Sequence, residues 1–73
     1  MKYKDYRKMV LGLIHVGEML TETLEKAEEE RLECVPMIRE YIEAVATASE
    51  ILIGHLASEA KKMMQGAQPT KPQ

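Results

Sequence analysis

The chain has 73 residues and a mass of 8.3 kDa, with 45% hydrophobic residues, 30% charged residues and a formal net charge of −2. A chain of this mass buries only about 60% of its unfolded surface, which predicts one small domain with a thin core and excludes large multi-layer enzyme folds. The near-balanced charge gives no general indication of a nucleic-acid or membrane-surface protein.

The cysteine and methionine content also limits the function. A single cysteine, Cys34, predicts a reducing, cytoplasmic location, because one thiol cannot cross-link a small secreted fold. No apolar run approaches the ~20 residues of a membrane-spanning helix, so we expect no membrane partner. Phe and Trp are absent, which predicts an aliphatic core, and the six methionines suit an adaptable contact surface.

The first predicted element is a helix over about residues 4–32. Its apolar side chains recur at spacings of three and four residues, the heptad pattern of a helix that packs against another helix. The series is Tyr6, Val10, Leu13, Gly17, Leu20, Leu24, Ala27 and Arg31. Further apolar residues beside this series are Met9, Ile14, Val16 and Met19.

The second predicted element is a helix over about residues 36–65. Pro36 favours a break, because the residue before a proline avoids helical geometry and proline suits a first helical turn. The apolar series of this helix is Ile38, Tyr41, Ile42, Val45, Ala48, Ser49, Leu52, Leu56 and Met63. Gly66 is a typical stop. We therefore expect a helical domain over residues 1–66 and a disordered tail over residues 67–73.

Two helices of similar length around a short break predict an all-α fold, an antiparallel helical hairpin. The alternative is one long helix kinked at Pro36. Residues 33–35 hold none of the usual turn residues, and the heptad count continues through Arg31, Cys34 and Ile38. An interior proline costs a helix about 3 kcal/mol, which favours the hairpin.

The charges and the surplus apolar residues predict self-association. A lone hairpin leaves apolar flanks in water, so we expect two hairpins to form an antiparallel four-helix bundle. Residues 1–8 and 56–73 carry net charges of +3 and +2, whereas residues 18–43 around the bend carry −6. Opposite charges at the two ends favour antiparallel packing. The predicted dimer or partner interface is Met9, Val10, Leu13, Ile14, Gly17, Leu20, Leu24, Tyr41, Val45, Leu52 and Leu56.

The inferred assembly resembles two known groups of proteins in its shape. One is the small plasmid copy-number regulators, which are antiparallel dimers of helical hairpins. The other is the small hairpin subunits that partner needle chaperones in type III secretion. The resemblance covers the helical part of the chain and implies a fold and a mode of assembly.

His15 and His55 are the candidates for metal binding or phosphotransfer. A di-metal bundle site places a Glu three residues before each His, whereas this chain has Gly12 and Leu52 there. Neither histidine is followed by the residues typical of a phosphotransfer histidine. Cys34 has no Lys or His beside it in the sequence to activate the thiol. We therefore expect no metal, no cofactor and no enzymatic activity.

The basic end carries the remaining functional indication. Basic residues interleaved with tyrosines are of the kind that contact nucleic acids. The predicted contacts are Lys2, Lys4, Arg7, Lys8, Lys61 and Lys62, with Tyr3 and Tyr6 among them.

The principal expectation is a small non-enzymatic interaction protein: an adaptor, inhibitor or regulator that acts as a homodimer and binds another protein. Two alternatives stay open. One is a co-chaperone-like subunit that folds against a different protein, and the other is a nucleic-acid-binding regulator that uses the basic end of the hairpin.

Overall fold

The computed structural model describes residues 2–67, which form two antiparallel helices, α1 (Tyr3–Glu29) and α2 (Val35–Ala67), with no strand in that range. This confirms the all-α helical hairpin and excludes, for these residues, one long helix kinked at Pro36. The radius of gyration is 18.1 Å, whereas a compact chain of this length has about 11 Å. The hairpin is therefore a rod. The predicted end of α2 at about residue 65, with Gly66 as the stop, is wrong, because the helix continues through Gly66 to Ala67. The rest of the predicted tail, residues 68–73, lies outside the described part.

The first turn of α1 is stabilised by Asp5. Its carboxylate accepts a hydrogen bond from the backbone N–H of Lys2 at 3.2 Å. The backbone N–H of Asp5 donates to the Lys2 carbonyl at 2.9 Å. An acidic side chain that reaches back from the third helical position satisfies a free donor and also suits the positive end of the helix dipole.

The end of α1 differs from the prediction. The expected end at residue 32 is wrong, because the helix stops at Glu29. The N–H of Leu32 donates to the Ala27 carbonyl at 3.0 Å, and the N–H of Arg31 donates to the Glu28 carbonyl at 3.1 Å. This pair of bonds is a Schellman motif, which requires a left-handed residue that is usually glycine. Arg31 occupies that position with φ 54°.

The second helix begins next to the proline, as the sequence indicates. The Cys34 carbonyl accepts the N–H of Ile38 at 3.0 Å, so the helical bonds begin at Cys34. Pro36 lies in the first turn, where its missing N–H leaves no hydrogen bond unmade. The bend is therefore residues 30–34. The left-handed conformation of Arg31 ends α1 on one side of it, and Pro36 lies in the first turn of α2 on the other.

The contact between the helices follows most of the predicted series and leaves a very small core. Three members of the series are wrong: Arg31 lies in the bend, and Tyr41 and Met63 are exposed. Of the residues that the structure describes, only Val10, Ala27 and Ile38 are buried. The other seam residues are half-buried, because a single pair of helices covers each side chain from one direction only. We call this line of contact the seam: Tyr3, Tyr6, Val10, Leu13, Gly17, Leu20, Leu24 and Ala27 of α1, with Val35, Ile38, Ile42, Val45, Ser49, Leu52, Leu56 and Glu59 of α2.

Candidate interaction surface

One side of the hairpin is marked by an ion pair. The Arg39 guanidinium donates a hydrogen bond to the Glu28 carboxylate near the bend. These two residues directly follow the buried residues Ala27 and Ile38, so this flank of α1 and the corresponding flank of α2 meet on one side. We call that side the salt-bridge face. At seven-residue intervals it carries Arg7, Ile14, Thr21 and Glu28 of α1 and Arg39, Ala46, Ile53 and Ala60 of α2.

The opposite side is marked by an aromatic pair near the open end. The rings of Tyr6 and His55 stack with centroids 5.3 Å apart and planes 12° from parallel. His55 directly precedes the seam residue Leu56, so the residues that precede seam positions lie on this side. We call it the uncharged face. It consists of Met9, Gly12, Val16, Met19 and Thr23 of α1 and Met37, Tyr41, Ala44, Ala48 and Ile51 of α2.

The uncharged face is an apolar surface that water covers in the single hairpin. Its members again recur at spacings of three and four, so each helix has a second apolar stripe beside the seam. Six of its side chains are large, and each exposes between 41% and 58% of its surface: Met9, Val16, Met19, Met37, Tyr41 and Ile51. Thr23 is its only hydroxyl apart from the Tyr41 phenol, and the Thr23 hydroxyl donates to the Met19 carbonyl at 2.9 Å. No charged residue interrupts the face over these ten positions.

The predicted interface residues divide between the seam and the two outer faces. Met9 and Tyr41 lie on the uncharged face, and Ile14 lies on the salt-bridge face. The others lie in the seam between the two helices of one chain: Val10, Leu13, Gly17, Leu20, Leu24, Val45, Leu52 and Leu56. A Cβ atom on Gly17 would lie 3.8 Å from Cγ1 of Val45, so the seam neighbour of this glycine is Val45.

Several members of the uncharged face are missing from the predicted interface. Val16, Met19, Met37 and Ile51 are the large ones. The signal that identifies them is a separate heptad count for each flank of the seam. That count shows one flank free of charge from Met9 to Thr23, whereas the other carries Glu18, Glu25 and Glu28.

The six cations predicted to contact nucleic acid lie at or near the open end of the hairpin. A cavity of about 360 Å³ at this end is lined by Lys2, Tyr3, Lys4, Glu59 and Met63. The start of α1 and the last part of α2 therefore lie side by side there. Lys62 forms an ion pair with Glu59 at 3.1 Å.

The tyrosines at this end are not presented as open stacking platforms. Tyr3 and Tyr6 are both half-buried. Tyr6 already stacks on His55. A site for single-stranded nucleic acid combines cations with aromatic rings on which the bases stack, and stacking requires an accessible ring face. This end of the hairpin presents the cations, but its two tyrosine rings are half-buried. Contact with nucleic acid stays a prediction.

The histidines and the cysteine are separate from one another. His15 is exposed on the outer side of α1, and Cys34 is exposed at the bend. Within residues 2–67 no three His, Cys, Asp or Glu side chains are grouped so that they could hold a metal ion. Over the same range, neither helix has a stretch long and apolar enough to cross a bilayer.

Comparison with protein-family models, curated proteins and solved structures finds no match to this chain.

Proposed function

We propose that this protein is a non-enzymatic interaction protein that acts as a homodimer, in which two hairpins pack their uncharged faces together as an antiparallel four-helix bundle. The observation that carries the proposal is the uncharged face itself. An apolar surface that crosses both helices without a charge is expensive to leave in water and is typical of a surface that another chain covers.

The area of the face is large enough for a specific dimer. From their exposed fractions, the six large side chains together present on the order of 600 Å² per hairpin. A standard stable interface buries about 800 Å² per partner, and the smaller residues between the six supply part of the difference. The methionines allow the two copies of the face to adjust to each other, since this side chain is unbranched and flexible.

The charges of the described residues favour a second copy in antiparallel order as the occupant. Six cations and two carboxylates lie at or near the open end, whereas nine glutamates and three cations lie over residues 18–43. Antiparallel packing places each basic open end beside the acidic bend of the other copy. Parallel packing places like charges together, which costs energy at both ends.

The test is the solution mass by light scattering, with helicity measured on the same samples by circular dichroism. Wild-type protein is expected at twice 8.3 kDa with high helicity. Val16→Glu puts a carboxylate at the centre of the uncharged face and is expected to give a monomer with reduced helicity, because a buried unpaired charge is strongly unfavourable and the single hairpin has only a small core.

Thr21→Glu is the matched control for Val16→Glu. Both residues are β-branched and exposed, and both lie beside the seam of α1, on opposite faces of the hairpin. We expect the Thr21→Glu protein to stay dimeric. Equal masses for the two variants would overturn the assignment of the interface. A monomeric wild-type protein would refute the homodimer and favour the alternative, a co-chaperone-like subunit whose apolar face is covered by a different protein.

A further inference from the structure

A second apolar surface lies on the salt-bridge face, at its open end. Ile14 of α1 lies two heptads before Glu28, and Ile53 of α2 lies two heptads after Arg39. Both isoleucines are therefore on the salt-bridge face, nearer the open end than the ion pair. Leu11 lies one turn from Ile14 on the same flank, and Met64 continues the flank of α2. We call these four residues, with Ala57 and Ala60 between them, the open-end patch.

The open-end patch is exposed and is separate from the uncharged face. Its four large side chains expose between 48% and 65% of their surface. In the proposed dimer the uncharged faces are turned toward each other, so the patch lies on the outside of the bundle. The salt-bridge face therefore changes along its length. Its heptad positions carry the Glu28–Arg39 ion pair near the bend, whereas the equivalent positions nearer the open end carry Ile14 and Ile53.

The charges around the patch are arranged along the axis of the hairpin. Lys4, Arg7 and Lys8 lie on the open-end side of Leu11, and a cavity of about 400 Å³ is lined by these residues, Leu11 and Asp5. On the side toward the bend, the patch is followed by Glu18 of α1 and Glu50 of α2. An occupant of the patch therefore meets a basic environment at one end and an acidic one at the other.

We propose that the open-end patch binds an amphipathic helix of another protein, with aliphatic side chains against Ile14 and Ile53 and with acidic residues at the end that reaches Arg7. The patch extends from Ile53 to Met64 along α2, about 16 Å at 1.5 Å per residue, which fits a partner helix of about three turns. Aliphatic anchors at helical spacing are the usual way in which a helix occupies a groove between two others. This inference rests on the proposed function, because it assigns the partner site of the dimer.

The test uses the full chain and two synthetic 14-residue helical peptides labelled with a fluorophore. Both peptides carry the same leucine stripe; one has three glutamates in its terminal turn and the other has three lysines there. Binding is measured by fluorescence anisotropy. We expect the acidic peptide to bind at least about tenfold more tightly than the basic one, and Arg7→Glu to remove that difference, because opposite charges favour the complex.

The substitution Ile14→Gln removes an apolar anchor without adding a charge, and Thr21→Gln is its matched control one heptad toward the bend. We expect Ile14→Gln to weaken binding of the acidic peptide about tenfold or more, because burial of an aliphatic side chain contributes at least that factor. Thr21→Gln is expected to leave binding unchanged, and both variants are expected to keep the mass of the wild type.

Several results would overturn the inference. These are equal binding of the two peptides, no binding of either, or no effect of Ile14→Gln. A loss of the dimer in Ile14→Gln would show that the open-end patch is itself the contact between copies, and would also overturn it. Failure of the proposed function is a different observation: the wild-type protein is then a monomer by light scattering, whatever the peptides do.

Discussion

The orientation of the two hairpins in the proposed dimer can be measured through Cys34. This cysteine is the only one in the sequence and is exposed at the bend, so a nitroxide label can be attached without any substitution. In an antiparallel bundle the two bends lie at opposite ends. The distance between the labels is then set by the length of α1, whose 27 residues extend over about 40 Å.

Parallel packing predicts a very different distance. Neighbouring helices pack about 10 Å apart, so two bends at the same end would bring the labels within about 20 Å of each other. The assay is double electron–electron resonance on the frozen dimer. A dominant distance near 40 Å is expected, whereas a dominant distance below about 25 Å would refute the electrostatic argument for antiparallel order.

A second labelled protein provides the control for this measurement. Lys61→Cys in a Cys34→Ser background moves the label to the open end of the hairpin. Mixing it with protein labelled at Cys34 is expected to add a short distance, because the bend of one copy then lies beside the open end of the other. The absence of that short distance in the mixture would contradict antiparallel packing even if the long distance were present.

Three substitutions test the account of the hairpin itself, each by thermal or denaturant unfolding at fixed protein concentration. Arg31→Gly is expected to stabilise the protein by about 1 kcal/mol, roughly 4–8 °C in Tm, because glycine adopts the left-handed φ of 54° without strain. Gly17→Ala is expected to stabilise it by up to about 1 kcal/mol, since the new Cβ meets Val45 at an ordinary contact distance; a loss would contradict the seam geometry. Glu28→Ala is expected to cost under about 1 kcal/mol, because the side chains of Glu28 and Arg39 are 42% and 60% exposed.

The hairpin and its seam could be predicted because they depend on residue periodicity and on one proline. The spacing of three and four residues that predicted the stripe of α1 continues in the structure through Val10 and Ala27, two of the buried residues. Pro36 predicted the start of α2 because its ring suits the first helical turn. These features are local in sequence, and so the sequence alone identifies them.

The end of α1 could not be predicted from the same rules. A Schellman motif is usually signalled by glycine, whereas this chain places Arg31 in the left-handed conformation. The helical pattern therefore continues in the sequence past the point where the helix stops. Tertiary contact between the helices fixes this end, because Ala27 and Ile38 must both reach the seam across a bend of five residues.

The two faces of the hairpin also required the structure. Periodicity shows that residues flank a seam, but it does not show which flank of α1 lies beside which flank of α2. The Glu28–Arg39 pair resolves this, because it joins the two flanks that follow the seam, which leaves the two flanks that precede the seam together on the opposite side. The stack of His55 on the seam residue Tyr6 agrees with that arrangement. Only then do Met9 and Tyr41 belong to one continuous surface, and Ile14 to another.

The composition of the seam explains why folding and assembly are expected to be coupled in this protein. Gly17 and Ala27 of α1 and Ser49 of α2 are small residues at seam positions, so the contact between the two helices buries little apolar surface. The seam does hold leucine, isoleucine and valine, but about as many large aliphatic side chains lie on the outer faces, where a single hairpin leaves them in water. A chain that buries so little of its own apolar surface gains stability mainly from the chain that covers it, and its stability then depends on protein concentration. The distribution of large and small residues therefore argues that the uncharged face is a requirement of the fold as well as a surface for recognition.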